Sequence, residues 1–126
     1  MTISATRLQE FLGDRYTIRQ PLGGGSMSLV FAADDLRHGR PVAIKVLLPD
    51  YVATLAAERF TREIQIAARL QHPHIVPLLD SGETHGVFYL VMPLIEGETL
   101  RARLVREGQL PVRDVLRILA DVADAL

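Results

Sequence analysis

From Arg15 onward, apolar and polar positions alternate in three short runs that carry the period-two pattern of half-buried strands: RYTIRQPL (15–22), SLVFAADD (28–35) and PVAIKVLL (41–48). LRHGRP, with Gly39 and Pro41 as breakers, is the turn before the third run. After Pro49 the period lengthens. Phe60, Glu63, Ile64, Ala67 and Leu70 recur at helical spacing, which predicts a helix over roughly 50–71 that closes at HPH. IVPLLDSG (75–82) and GVFYLVM (86–92) predict two more strands joined by a glycine-containing turn. Two further helices are expected over about 98–107 and 111–126, the second with Val115, Leu116, Leu119, Val122, Ala123 and Leu126 on one face. A short helix at 5–12 precedes GDRY. The order β-β-β-α-β-β, then helices, predicts an α+β fold: a five-stranded antiparallel sheet with one packed helix and the start of a helical region.

LGGGSMSLVF (22–31) sets three glycines between two strand-like runs. Glycine weakens a strand interior, so its use here asks for a close backbone approach. A phosphate loop ending in Gly-Lys-Ser/Thr does not fit, because no lysine occurs before Lys45 and a strand follows rather than a helix. A dinucleotide fingerprint also opens a helix and fails for the same reason. Two readings remain: a plain hairpin turn, or a hairpin whose glycine-rich turn folds over phosphates and donates backbone amides. Ser28, Val30 and Ala32 share one strand face, as do Ala43, Lys45 and Leu47. A lysine in so apolar a strand needs either a route to solvent at an edge or a partner for its charge. Glu63 sits on the apolar stripe of the following helix, so an ion pair between Lys45 and Glu63 would satisfy both.

Composition removes several function classes. At 126 residues the chain is one domain at most, and 48% hydrophobic with 23% charged residues is a globular balance. A net charge of −1 without a Lys/Arg run gives nucleic acid no electrostatic footprint. The lack of cysteine excludes disulfides, thiol nucleophiles and Cys-based zinc sites. No run of about 18 apolar residues free of charge occurs, so no membrane segment is expected in this chain. The N-terminus lacks the pattern of a signal peptide, and a cytoplasmic location is the default expectation.

Taken together, these residues resemble the N-terminal lobe of a protein kinase, in particular the bacterial serine/threonine kinases of eukaryotic type. LGGGSMSLV is similar to the glycine-rich loop, VAIK (42–45) matches the strand-three signature without a change, and RFTREIQIAARLQHPHIVPLLDSG (59–82) is similar to the region from the αC helix to the fourth strand. The similarity covers about residues 15–126. It implies an N-terminal extension (1–14), an ATP-binding lobe (15–95), and a hinge exit with the first helices of an incomplete helical lobe (96–126). It also implies roles. Lys45 would contact the α- and β-phosphates and Glu63 would hold it in place. Amides around Gly23, Gly24 and Gly25, next to Leu22, would cover the phosphates. Val30 and Ala43 would press on the upper adenine face and Leu100 would close the lower one. Met92 falls at the gatekeeper position. The Pro93 carbonyl would accept from the adenine amino group, which proline allows because only its N–H is missing, and the Ile95 amide would donate to the ring. Ala67 and Leu78 would join the hydrophobic column of the lobe.

The implied activity of the parent protein is transfer of the γ-phosphate of Mg-ATP to a protein Ser/Thr hydroxyl, with ATP, Mg²⁺ and a protein substrate as partners. Ser28 replaces the third loop glycine, which implies altered affinity rather than loss. The chain ends at Leu126, before any catalytic loop or Mg²⁺-binding motif, so the resemblance implies a cut inside the first long helix of the second lobe and a fragment inactive alone. The parent could be membrane-anchored through other sequence. The alternative from another class is a non-catalytic, pseudokinase-like nucleotide-binding or regulatory module, against which the presence of both Lys45 and Glu63 argues. Small-molecule phosphotransferases share the lobe, but HPHIVPLLDSG favours a protein kinase. His72 and His74 lack an evident third metal ligand, Asp34 and Asp35 are expected to be solvated before a turn, and Asp121, Asp124, His38 and His85 carry no assignment.

Overall fold

The computed structural model describes residues 4–24, 28–47 and 54–126, the side chains of residues 54–57 and 60 excepted. The predicted end of the third strand at Leu48, the helix start at 50–53 and the Phe60 side chain therefore lie outside the described residues. The elements are α1 (Ala5–Leu12), β1 (Tyr16–Gly24), β2 (Ser28–Asp35), β3 (Arg40–Leu47), α2 (Thr54–Arg69), β4 (Asp80–Thr84), β5 (Val87–Pro93), α3 (Leu100–Glu107) and α4 (Val112–Ala125). All strand pairs are antiparallel, in the order β1-β2-β3-β5-β4. The chain divides into two units, one of residues up to Leu70 with Pro77–Leu94, the other of Gln71–Val76 with Ile95–Leu126.

In the first unit, alternation along β3 sorts the side chains. Val42, Ile44 and Val46 are each 0% exposed and face Phe31 and Ala33 of β2 and Val87, Tyr89 and Val91 of β5. Two leucines of α1, Leu8 and Leu12, complete this core at the i, i+4 spacing that puts both on one helix face. Ser4 caps the start of α1 by accepting from the Arg7 amide, and Gly13 ends it at φ 42°, a backbone conformation only glycine adopts freely.

β1 and β4 are the two outer strands, yet they touch. The Tyr16 hydroxyl donates to Asp80 Oδ2 at 3.0 Å, and Arg15 Nη2 lies 2.8 Å from the same carboxylate. The sheet therefore curls until its edges approach, an exaggeration of the ordinary right-handed strand twist. α1 lies between those edges. Its Gln9 bonds β1, while Phe11 stacks on His85 of the β4–β5 turn with ring centroids 4.5 Å apart and accepts from Thr84 Oγ1 through its carbonyl. That turn is the two-residue pair His85-Gly86, both at positive φ (51° and 77°), the geometry that suits the twist of a tight hairpin.

Burial, and then the hydrogen bond to Asp80, push the Tyr16 phenol from its ordinary 10.0 up to about 12. The folded chain thus holds this proton where the unfolded chain releases it, so stability falls as pH rises from 10.0 towards about 12. Tyr16→Phe is expected to flatten that decline, and to cost about 1–2 kcal/mol at neutral pH through the lost charge-assisted hydrogen bond. Denaturant unfolding across that pH range measures both effects.

Two expectations require correction. Asp35 is not solvated: it is 5% exposed and accepts from the amides of Arg37 and His38 at 3.0 and 3.2 Å, closing the β2–β3 turn, with His38 Nδ1 at 2.9 Å. Desolvation pushes its carboxyl up, but the hydrogen bonds from His38 and Arg37 outweigh this and leave it below its ordinary value. Asp34 behaves as expected of a surface group and pairs with Arg19 at 2.7 Å. The predicted strand at 75–82 is displaced to Asp80–Thr84. Pro77 interrupts the preceding run and has no N–H to offer a ladder, and pairing with β5 starts only where the Leu79 amide donates to the Val91 carbonyl at 2.8 Å.

In the second unit, Thr99 caps α3 by accepting from the Ala102 amide at 3.0 Å. Arg103 reaches both Glu107 and Asp114 and so ties α3 to α4. The predicted apolar stripe of α4 is present and open to solvent at Leu116, Leu119 and Val122. No helix among the described residues is long and apolar enough to cross a membrane.

Candidate functional site

The strand register builds one row of side chains across the sheet: Gly23 opposite Val30, Val30 opposite Lys45, Lys45 opposite Leu90, and Leu90 opposite Ser81. Directly paired residues share a face, so these side chains stand on the side away from the Val42/Ile44/Val46 core. Two residues further along, Ala32, Ala43 and Met92 form the next row on that face. Val42 pairs with Pro93, the last residue of β5, where the ladder with β4 has already ended at Asp80–Val91 and a missing N–H is harmless.

The α2 helix covers part of this face. Glu63, Ile64 and Ala67 line a cavity of about 170 Å³ together with Leu90. Leu90 thus has Lys45 beside it on the neighbouring strand and Glu63 across the cavity from the helix. The lysine and the glutamate are brought to the same leucine, on the same side of the sheet. They do not form an ion pair: among the described residues neither has an opposite charge within 4.0 Å, and Glu63 is exposed. Lys45 itself is half-buried between Val30 and Leu90. A cation so placed, in an apolar row and without an opposite charge close to it among the described residues, suits an anionic partner.

The glycines divide into two kinds. A Cβ on Gly24 would come within 2.9 Å of the Ser28 carbonyl oxygen and 2.5 Å of Leu29 Cδ2, so packing against β2 alone demands glycine there. A Cβ on Gly23 would meet nothing within 4 Å. Its bare backbone is not required by any of the described residues, and it faces the row that holds Lys45. That is the pattern expected where a molecule from outside approaches the backbone, and a phosphate chain fits both it and the unpaired lysine. Gly25 lies outside the described residues.

Leu22 is exposed near the end of β1. Ile95 and Leu100 belong to the second unit, where both are exposed and Leu100 opens α3 behind its Thr99 cap. That unit also unites residues that sequence reasoning left separate. His72 Nε2 lies 3.2 Å from Asp124 Oδ2 and His74 Nε2 lies 3.3 Å from Asp121 Oδ1, clasping the HPH segment to α4. The four-residue span between two aspartates on one helix face could not be matched to the histidines without the fold. Among the described residues no group of three or more His, Asp or Glu is arranged to hold a metal. Leu90 was also missed, although its spacing of two from Met92 in YLVM was the available signal.

Comparison with known proteins places this geometry. Residues 16–126 match the model of the protein kinase domain family. The chain is 38% identical over 116 residues to the serine/threonine-protein kinase PrkC of Bacillus subtilis, covering 91% of this chain and 18% of that protein. It is 41% identical over 120 residues to the serine/threonine-protein kinase PknB of Mycobacterium leprae, covering 91% of this chain and 19% of PknB. Among solved structures, the crystal structure of the Mycobacterium tuberculosis PknI kinase domain superposes with a TM-score of 0.77 at 34% identity, covering 89% of this chain and 46% of that one. The chain therefore spans about a fifth of the length of these curated relatives and just under half of a solved kinase domain.

Proposed function

The chain belongs to the protein kinase domain family, and from that premise we propose that it forms the ATP-binding portion of a serine/threonine protein kinase. The observation that carries the proposal is the half-buried Lys45, with no opposite charge within 4.0 Å among the described residues, in one row with Gly23, whose backbone none of the described residues requires to be bare. In this reading the Lys45 ammonium contacts the α- and β-phosphates, and amides at Gly23 and Gly24, beside Leu22, lie over the phosphate chain. Val30 and Ala43 pack on the upper face of adenine. Met92 bounds the depth of the pocket, and the Pro93 carbonyl accepts from the adenine amino group. Glu63 fixes Lys45 once nucleotide is bound.

Bound Mg²⁺ supplies neutralisation of charge on the phosphates. The residues named here bind and orient ATP; transfer of its γ-phosphoryl group to a protein Ser/Thr hydroxyl, leaving ADP, is the proposed activity of the longer protein. The chain of 126 residues contains neither an His-Arg-Asp nor an Asp-Phe-Gly triplet, and it is expected to bind nucleotide weakly and to transfer nothing by itself. Titration of the chain with ATP and Mg²⁺, followed by backbone amide NMR, tests the reading. Saturable shifts at Val30, Ala43, Lys45 and Met92 are expected. Shifts confined to other surfaces, or none at millimolar nucleotide, would refute it.

A further inference from the structure

We propose that Gln9, on the helix α1 that precedes the matched kinase-domain residues, is a positioning residue for the glycine-bearing end of β1. The inference rests on the nucleotide reading above for its functional meaning, and on geometry for its mechanism.

An outer strand presents a row of backbone groups with no ladder partner. On β1 two of these groups are taken by a single side chain. Gln9 Oε1 accepts from the Ile18 amide at 2.7 Å, and Gln9 Nε2 donates to the Tyr16 carbonyl at 2.8 Å. The carboxamide therefore stands in for one residue of a missing neighbouring strand. It is itself held from two directions, since Leu8 and Leu12 on either side of it are buried in the sheet core, and Nε2 also reaches the Gly13 carbonyl at 3.3 Å.

What lies beyond the clamp makes it consequential. From Tyr16 to Ile18 the ladder with β2 is regular. Between Ile18 and Pro21, and again between Pro21 and Gly23, the register shifts, so that β1 carries an extra residue at each point. Two irregularities in five residues leave the ladder itself a poor guide to where Gly23 and Gly24 sit against Val30 and Leu29. The last well-fixed point before them is Ile18, and Gln9 fixes it from the outer edge. By this route α1 sets the height of the glycine backbone over the Lys45 row, and with it the affinity for the phosphate chain.

The test compares Gln9→Met, which keeps the length and loses both bonds, with Gln9→Glu, which keeps the acceptor for the Ile18 amide and loses the donor. Glu10→Ala on the exposed side of the same helix serves as the control. Hydrogen exchange in the nucleotide-free chain is read first. Gln9→Met is expected to speed exchange at Ile18, Gly23, Gly24 and Val30 by about tenfold, the loss of two ordinary hydrogen bonds, with Ile44 and Val46 unchanged. Gln9→Glu is expected to fall between it and the wild type. Faster exchange at Ile18 with Gly23 and Gly24 unmoved would overturn the inference, as would a uniform acceleration that includes Ile44 and Val46. ATP titration of the same variants is read second: weakening by about three- to tenfold for Gln9→Met, in the same order as the exchange effects, is expected. Failure of the wild-type chain to bind ATP at all sinks the nucleotide reading, while the exchange data still decide the coupling.

Discussion

Lys45→Met is expected to lower phosphoryl transfer by on the order of 10²-fold or more when this sequence is carried in a complete kinase domain, without loss of the fold. Methionine matches the aliphatic stem of lysine and keeps the packing between Val30 and Leu90, but removes the only charge that the row offers to a phosphate. Removal of one preorganised charge-stabilising group from a transfer site costs at least that order of magnitude. The prediction extends to Glu63. Since Glu63 is exposed and pairs with no opposite charge among the described residues, Glu63→Ala is expected to change unfolding free energy by less than about 0.5 kcal/mol. Its effect belongs to the loaded state, where the double variant should transfer no worse than Lys45→Met alone if the two side chains act as one unit. Radiolabel transfer assays on the two single variants and the double variant, beside denaturant unfolding of each, test the set; undiminished transfer by Lys45→Met removes the assigned role.

Leu8→Ala is expected to destabilise the chain by about 2–5 kcal/mol, the range for emptying a buried leucine site. Leu8 is 0% exposed and belongs to the buried cluster that holds Tyr16, Val42, Ile44 and Val46. Given that small domains are stable by only about 5–15 kcal/mol, the variant should show a large fall in urea midpoint with an unchanged slope. A loss below about 1 kcal/mol would mean that α1 is a loose appendage and not part of the core. Leu12, 8% exposed at the rim of the same cluster, should give a smaller loss.

Most of the sheet was legible because alternation is a local property. Val42, Ile44 and Val46 against Ala43, Lys45 and Leu47 can be separated by counting, and the structure separates them that way. The common face of Val30, Lys45 and Met92 followed from the same count once the hairpin order was known. Three features were not legible, each for a reason of distance. The role of Leu8 depends on a sheet formed by residues as far away as Val91, so a short amphipathic helix in the sequence showed only that it had an apolar side. The run Ile75–Leu79 looks like a strand by composition, but Pro77 and the reach of β5 decide where a ladder can start. The charge pair was inferred from two local anomalies, one on β3 and one on α2. The structure brings both residues to Leu90, but spacing along the sequence could not say how far the helix lies from the strand.

The contact of Tyr16 with Asp80 closes a loop of 64 residues, and that of Thr84 with Phe11 one of 73. A ribosome that has released α1, β1, β2 and β3 has therefore made a meander whose apolar concave side gapes, and which can be sealed only when β4 and β5 emerge. The amino end must wait for a late-synthesised partner, and in that interval the edge of β3 that β5 later pairs with is what a holdase would recognise.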